Sequence, residues 1–259
     1  MYFASDSRIS WDRQPSVWDC GQKLYASNVG SEIFGFTGYV LLPQSILSKA
    51  CTLIDRNLRS PSDEASINGR VDWLNRLVKR EVDQHPNRQN EDFIIFYGVR
   101  IGDGMPGRST FHLHVIAWDS KNTTLNATPV TMPNHSAVLR TGGSGKPNLD
   151  TISKAWERSD QGNTSRTMFS AFCDTLKQGD DPLSGGEPQL VGLYRQGSPK
   201  IFGVVTENGA SYQGQLRTAL AATANIEWRD PLFQRVDAQG RLLKKAQPHS
   251  RPKLFACPA

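Results

Sequence analysis

At 259 residues, with 37% hydrophobic and 21% charged content, the chain is long enough for one layered domain with an ample core and too apolar for a disordered segment. No apolar run approaches membrane-spanning length, and no charged stretch leads into a signal-peptide core, so a cytoplasmic protein without a membrane partner is expected. The net charge of +5 is concentrated: between Arg229 and Lys253, seven basic residues stand against only Asp230 and Asp237, which leaves the rest of the chain neutral. That segment lacks aromatic interleaving and any nucleic-acid motif, so it reads as a solvated or partner-covering extension and nucleic acid is not an expected partner.

The cysteines, Cys20, Cys51, Cys173 and Cys257, are widely spaced, with no Cys-x-x-Cys pair and no histidine placed to complete a zinc site. Reduced thiols are expected. Cys51 and Cys173 fall inside helical apolar patterns, where a buried small hydrophobe is the expected role.

In chain order, Tyr2 to Asp6 is a short strand-like run and Glu32 to Gly38 a second, with Gly35 and Gly38 marking close backbone approach. Pro43 stands at a helix start, and Ile46, Leu47, Ala50, Ile54 and Leu58 recur at helical spacing. After a linker at Ser60 to Asp63, Ile67, Val71, Leu74, Val78 and Val82 form a second amphipathic stripe that stops before Pro86. Asp92 to Ile101 and Ser109 to Trp118 read as strands flanking a Gly- and Pro-rich loop at Gly102 to Gly107, and shorter strands are expected around Val130 and Val138. His112 and His114 fall on one strand face, the spacing of a metal pair. No third ligand is near in sequence, so ordinary strand polar residues are expected and no metal site.

Thr141 to Gly145 (TGGSG) is a glycine turn leading into a helix that carries Leu149, Ile152 and Trp156. It is not a phosphate loop. The Lys-Ser/Thr of a Walker sequence is missing, and Lys146-Pro147 would keep the helix amides from cradling a phosphate, so no nucleotide or other cofactor is expected. A further helix carries Met168, Phe169, Phe172, Cys173 and Leu176 as a core stripe and ends at Gly179. Asp181-Pro182-Leu183-Ser184-Gly185-Gly186 follows, then strands at Gln189 to Tyr194 and Lys200 to Thr206. Strands, two helices, strands, two helices and strands suit an α+β fold with two sheets between two helical layers.

Several short motifs stand in register with these elements: Asp6-Ser7-Arg8 closing a strand, Lys23 opening the next, Gly38 ending another, Gly143-Ser144-Gly145 before the third helix, and Asp181-x-x-Ser184-Gly185-Gly186 after the fourth. In this the chain resembles the proteasome β-type subunits and their bacterial relatives among the N-terminal-nucleophile (Ntn) hydrolases, from about Tyr2 to Gln213. The resemblance implies a four-layer αββα sandwich over residues 1–215, with 216–259 as a basic C-terminal extension that has no counterpart in the family.

The resemblance also implies a chemistry. In that family an N-terminal threonine attacks a peptide carbonyl through its hydroxyl, with its own α-amine as proton acceptor. Lys23 would lower the pKa of that hydroxyl, Asp6 would hold Lys23 charged and oriented, and the N–H of Gly38 would bind the developing oxyanion. Ser144, Asp181 and Ser184 would surround the amine, and Arg8 would support structure. Read from the residues alone, Asp6 and Lys23 could also be an ordinary ion pair, and Ser144, Asp181 and Ser184 plain turn residues.

One departure stands out. The family's nucleophile lies one strand and a turn before the Asp, whereas Met1 to Ser5 are what stands before Asp6 here. The expectation is a threonine-type peptidase or amidohydrolase written without its nucleophile strand, and inactive as written. The alternative is a non-catalytic proteasome-like structural or binding module. A peptide or amide substrate and a homo-oligomer follow from the resemblance, while ring size and an ATPase partner stay open.

Overall fold

The computed structural model describes residues 1–11, 16–86, 91–102, 108–159, 161–162, 164–217 and 225–252. The first elements are strands β1 (Tyr2–Ser5), β2 (Ile9–Trp11), β3 (Ser16–Trp18), β4 (Leu24–Ala26) and β5 (Glu32–Gly38). Helices α1 (Leu41–Asp55), α2 (Pro61–Glu64) and α3 (Ile67–Gln84) follow, then strands β6 (Phe93–Ile101), β7 (Thr110–Asp119) and β8 (Thr124–Val130). Helices α4 (Lys146–Glu157) and α5 (Ser165–Gln178) precede β9 (Gln189–Gly192), β10 (Lys200–Thr206), β11 (Gly209–Tyr212), β12 (Gln215–Leu216), β13 (Trp228–Arg229) and β14 (Arg235–Val236). The chain is α+β, with two multi-stranded sheets and two main helix pairs, and it divides into two compact units.

The first unit comprises Met1–Phe3, Lys23–Met132 and Val191–Lys200. Its five-stranded sheet runs β4-β5-β6-β7-β8, each neighbour antiparallel, with Gly38 opposite Phe93 and Tyr97 opposite His114. Alternate residues of these strands, among them Phe34, Phe36, Ile95, Tyr97 and Ile116, meet the apolar stripes of α1 and α3 in one core cluster. The helix starts obey local rules: Ser60 caps α2 by accepting from the Asp63 N–H, and Ser66 caps α3 by accepting from Gly69. The linker read at Ser60 to Asp63 therefore contains a helical turn, because Ser-Pro is an N-cap followed by a favoured first residue.

One charged group is sunk in this core. Glu32 is fully buried, receives the Tyr97 hydroxyl at 2.9 Å and pairs with Arg59 at 2.6 Å and Arg70 at 3.3 Å. Burial pushes its carboxyl above the ordinary range, against the pull of Arg59, Arg70 and the tyrosine hydroxyl.

The second unit comprises Ala4–Gln22, Pro133–Leu190 and Ile201–Ala259. The other large sheet runs β1-β9-β10-β11-β12, with β13 parallel to β10 and β14 antiparallel to β13, while β2 and β3 form a separate hairpin. Helix α5 begins at the Thr164 cap and ends at Gly179, which is left-handed at φ 67°. Ile152 and Trp156 of α4 pack against Ala171 of α5, and the Trp156 indole N–H donates to Asp174 at 3.0 Å.

Two expectations change here. Val138 lies outside any strand and is exposed, because an apolar residue without a pairing partner has no ladder to join. A solvated extension does not describe residues 226–236, whereas most of residues 239–251 are exposed. Trp228 is 4% exposed and lies over Gly203, the Arg229 guanidinium stands 5.2 Å and 5.3 Å from the Phe202 and Phe233 rings, and Arg251 pairs with Asp174 at 2.6 Å. Basic side chains with long apolar stems and planar heads pack well in such places, which net charge alone does not show. Lys253, Cys257 and residues 103–107 of the Gly- and Pro-rich loop lie outside the described residues.

Candidate functional site

The turn between α5 and β9 and the turn before α4 meet in the second unit. Asp181 is the centre of this meeting. Its Oδ2 accepts the Ser144 and Ser184 hydroxyls, each at 2.6 Å, and its Oδ1 accepts the Leu183 N–H at 3.1 Å. Burial raises the Asp181 carboxyl, but the two hydroxyls, the Leu183 N–H and the charge of Arg8 outweigh it and hold the group below its ordinary value. Gly145 permits the close approach, since a Cβ there would stand 2.7 Å from the Ser184 Oγ.

A second set of bonds ties this turn to the segment after β1. The Gly185 N–H donates to Asp6 Oδ2 at 3.1 Å, and the Ser7 and Arg8 N–H groups both donate to the Gly185 carbonyl, at 3.1 Å and 2.9 Å. The Arg8 N–H also donates to Asp6 Oδ2, at 3.2 Å. Arg8 lies over the turn: its Nη1 donates to the Pro182 carbonyl at 3.0 Å and the Ser184 carbonyl at 3.4 Å. A Cβ on Gly185 would be 2.5 Å from the Arg8 Cζ, so the guanidinium rests directly on the glycine. Arg8 thus supports structure.

Of the residues singled out in the sequence, Asp6, Ser144, Asp181 and Ser184 are gathered here. Lys23 and Gly38 belong to the first unit, directly before β4 and at the end of β5. Gly38 has φ +92°, and a Cβ would stand 2.5 Å from the Asp92 carbonyl oxygen, so the backbone itself requires glycine at that strand end.

Asp19 escaped the sequence reading. It accepts from Arg8 twice, Nε to Oδ1 at 2.6 Å and Nη2 to Oδ2 at 2.9 Å. The available signal was weak: Arg8 and Asp19 bracket the β2–β3 hairpin, and opposite charges at a hairpin base often meet.

Among the described residues no group of three or more His, Cys, Asp or Glu is arranged to hold a metal ion. His112 accepts or donates through Nε2 to Thr110 at 3.0 Å, while burial lowers the pKa of both His112 and His114. Cys20, Cys51 and Cys173 are free thiols, and burial pushes Cys51 up to about 12 and Cys173 far above its ordinary value. Among the described residues, no helix is long and apolar enough to cross a membrane.

No family model matches the chain, and no curated protein matches it. Among solved structures it is similar to Anbu, the ancestral beta-subunit, from Yersinia bercovieri, at 15% identity over 73% of this chain and 75% of that one, with a TM-score of 0.48. It is also similar to eukaryotic HslV from Trypanosoma brucei, at 12% identity over 73% of this chain and 90% of that one, with a TM-score of 0.41. At these identities and scores both are loose likenesses in shape and nothing finer.

Proposed function

We propose that the chain is built for N-terminal-nucleophile amide hydrolysis of the threonine type. The observation that carries this reading is the convergence of the Ser144 and Ser184 hydroxyls on one oxygen of Asp181. Each hydroxyl spends its proton on the carboxylate, so its remaining lone pairs face outward as acceptors beside a negative charge. A cluster of acceptors around an anion suits a cationic donor, and a primary ammonium fits best.

In this reading the ammonium is the α-amine of a Thr, Ser or Cys nucleophile. Its hydroxyl or thiol adds to the substrate carbonyl, and the neutral amine takes the proton. The resemblance assigns Lys23 to favouring the deprotonated nucleophile and the Gly38 N–H to the oxyanion. The amine then hands its proton to the leaving nitrogen, an acyl ester or thioester remains, and water releases it. Peptides or small amides are the substrate class, and a homo-oligomer is the proposed assembly.

The test is covalent capture. Protein expressed from its full reading frame is incubated with an electrophile that forms an adduct only with a residue bearing both an amine and a hydroxyl or thiol, and its intact mass is measured. One adduct per chain, lost in Asp181→Ala, is expected. A protein that gains no mass removes the hydrolase reading, and a structural or binding module built on the same lock takes its place.

A further inference from the structure

We propose that Asp19 is a positioning residue for the Asp181 cluster: it holds the Arg8 guanidinium flat on the Pro182–Gly185 turn and so keeps that cation from closing on Asp181. The role assigned to Asp181 rests on the hydrolase reading above. The clamp itself rests on geometry alone.

Five N–H groups leave a guanidinium, and their directions decide where its charge goes. Asp19 takes two of them in the paired fork geometry, at 2.6 Å and 2.9 Å, and the Pro182 and Ser184 carbonyls share Nη1. Asp19 is itself held from behind, because its carbonyl accepts the buried Ser7 hydroxyl at 2.7 Å. The other carboxylates whose charges act on Arg8 are Asp6 and Asp181. With Nη1 still on the Pro182 and Ser184 carbonyls, a guanidinium released from Asp19 stays on the Asp181 turn, so Asp181 is the carboxylate it would close on. A guanidinium on Asp181 would compete with the serine hydroxyls for Oδ2 and fill the place of an incoming ammonium.

A half-exposed ion pair of this kind contributes little stability, and stability is not what the proposal concerns. What Asp19 decides is direction. The consequence reads out in the acid–base behaviour of Asp181, which a purely structural contact would leave alone.

The experiment is a carbon-13 NMR titration of the Asp181 carboxyl in the whole chain, with Asp19→Asn, Asp19→Glu, Arg8→Gln and the double variant Asp19→Asn/Arg8→Gln. Asp19→Asn is expected to lower the Asp181 midpoint by about one pH unit, the effect of a new cationic neighbour, and Asp19→Glu to restore it. In the Arg8→Gln background the same Asp19→Asn change should produce a much smaller shift, that of bare charge removal. Equal shifts in the two backgrounds, or no shift while Arg8 is present, overturn the proposal. The titration needs no turnover, so a protein that fails to capture the electrophile leaves this result standing, and an additive cycle leaves the capture test untouched.

Discussion

In the first unit one large apolar cluster extends from Phe34, Ile95 and Tyr97 in the sheet to Ile46, Leu74 and Val82 in the helices. In the second unit two smaller clusters join Ile152 with Trp156 and Ala171, and Ala210 with Trp228 and Val236, and its turns are tied by carboxylates, hydroxyls and guanidinium groups. Apolar burial is strong but has no direction, so it can place a sheet against a helix without orienting any one oxygen. Hydrogen bonds to charged groups are directional. The candidate cluster is therefore oriented by the polar contacts of its own turns, and the contrast with the apolar cluster can be probed by substitution on each side.

The largest effect is expected where the contrast breaks within the first unit. Glu32→Ala leaves the buried Tyr97 hydroxyl without its acceptor and Arg59 and Arg70 with only the half-exposed Glu64, and should cost about 3–5 kcal/mol in urea denaturation. A cost below about 1 kcal/mol would mean that the apolar cluster carries that unit without its buried ion group.

Next comes Gly203→Ala, where a Cβ would stand 2.1 Å from the Trp228 ring. Overpacking of this kind should cost about 1–3 kcal/mol and lower the thermal midpoint. An unchanged midpoint would show that residues 226–236 are dispensable to the second sheet.

A smaller effect concerns acid. Asp181 is held below its ordinary value in the folded chain, so its contribution is present above the unfolded carboxylate pKa and is lost as pH falls through the folded one. Stability should therefore fall with acidification below about pH 4, and Asp181→Asn should flatten that fall in urea midpoints measured from neutral to acid pH. Equal slopes for both proteins would remove Asp181 from the second unit's polar support.

The smallest expected effect is on the β2–β3 hairpin. Trp11 and Trp18 stack with ring centroids 6.4 Å apart yet remain 52% and 46% exposed. Trp11→Ser should change stability by about 0.5 kcal/mol or less. A larger loss would show that the hairpin braces the Arg8–Asp19 clamp at its base.

Much of the fold was legible because it is written in short periods. The stripes of α1 and α3, the run of β5 and the run of β10 appear in the structure close to where their spacing placed them. The hairpin of β2 and β3 and the two-residue strands β12, β13 and β14 were not legible, since strands of that length are defined by their partners and not by any alternation. Val138 is the converse case, a residue with strand character and no partner.

The candidate site divides in the same way. Asp181 and Ser184 share one turn, whose Ser184 N–H donates to the Asp181 carbonyl at 3.1 Å, and a pattern of Asp, Ser and Gly marks such turns in any sequence. Ser144 joins them from far along the chain, and the sequence pointed to it through a family resemblance and not through spacing. Asp19 carried only a weak mark, a charge opposite to that of Arg8 across a hairpin that was itself not legible. Its importance comes from a partner whose identity depends on how the β2–β3 hairpin closes.

What the sequence determined by itself was therefore local: which stretches bury a face, where helices cap, and where glycine must stand. The periods of 2 and 3.6 and the backbone limits of glycine act within a few residues and need no distant contact. Only the tertiary structure decided that Asp6, Arg8 and Asp19 would close on the Asp181 turn, and that Trp228, Arg229 and Val236 of a basic segment would be buried while its other described basic residues stay exposed. Hydrogen bonds between distant residues are chosen by three-dimensional distance and angle, which neither composition nor periodicity encodes.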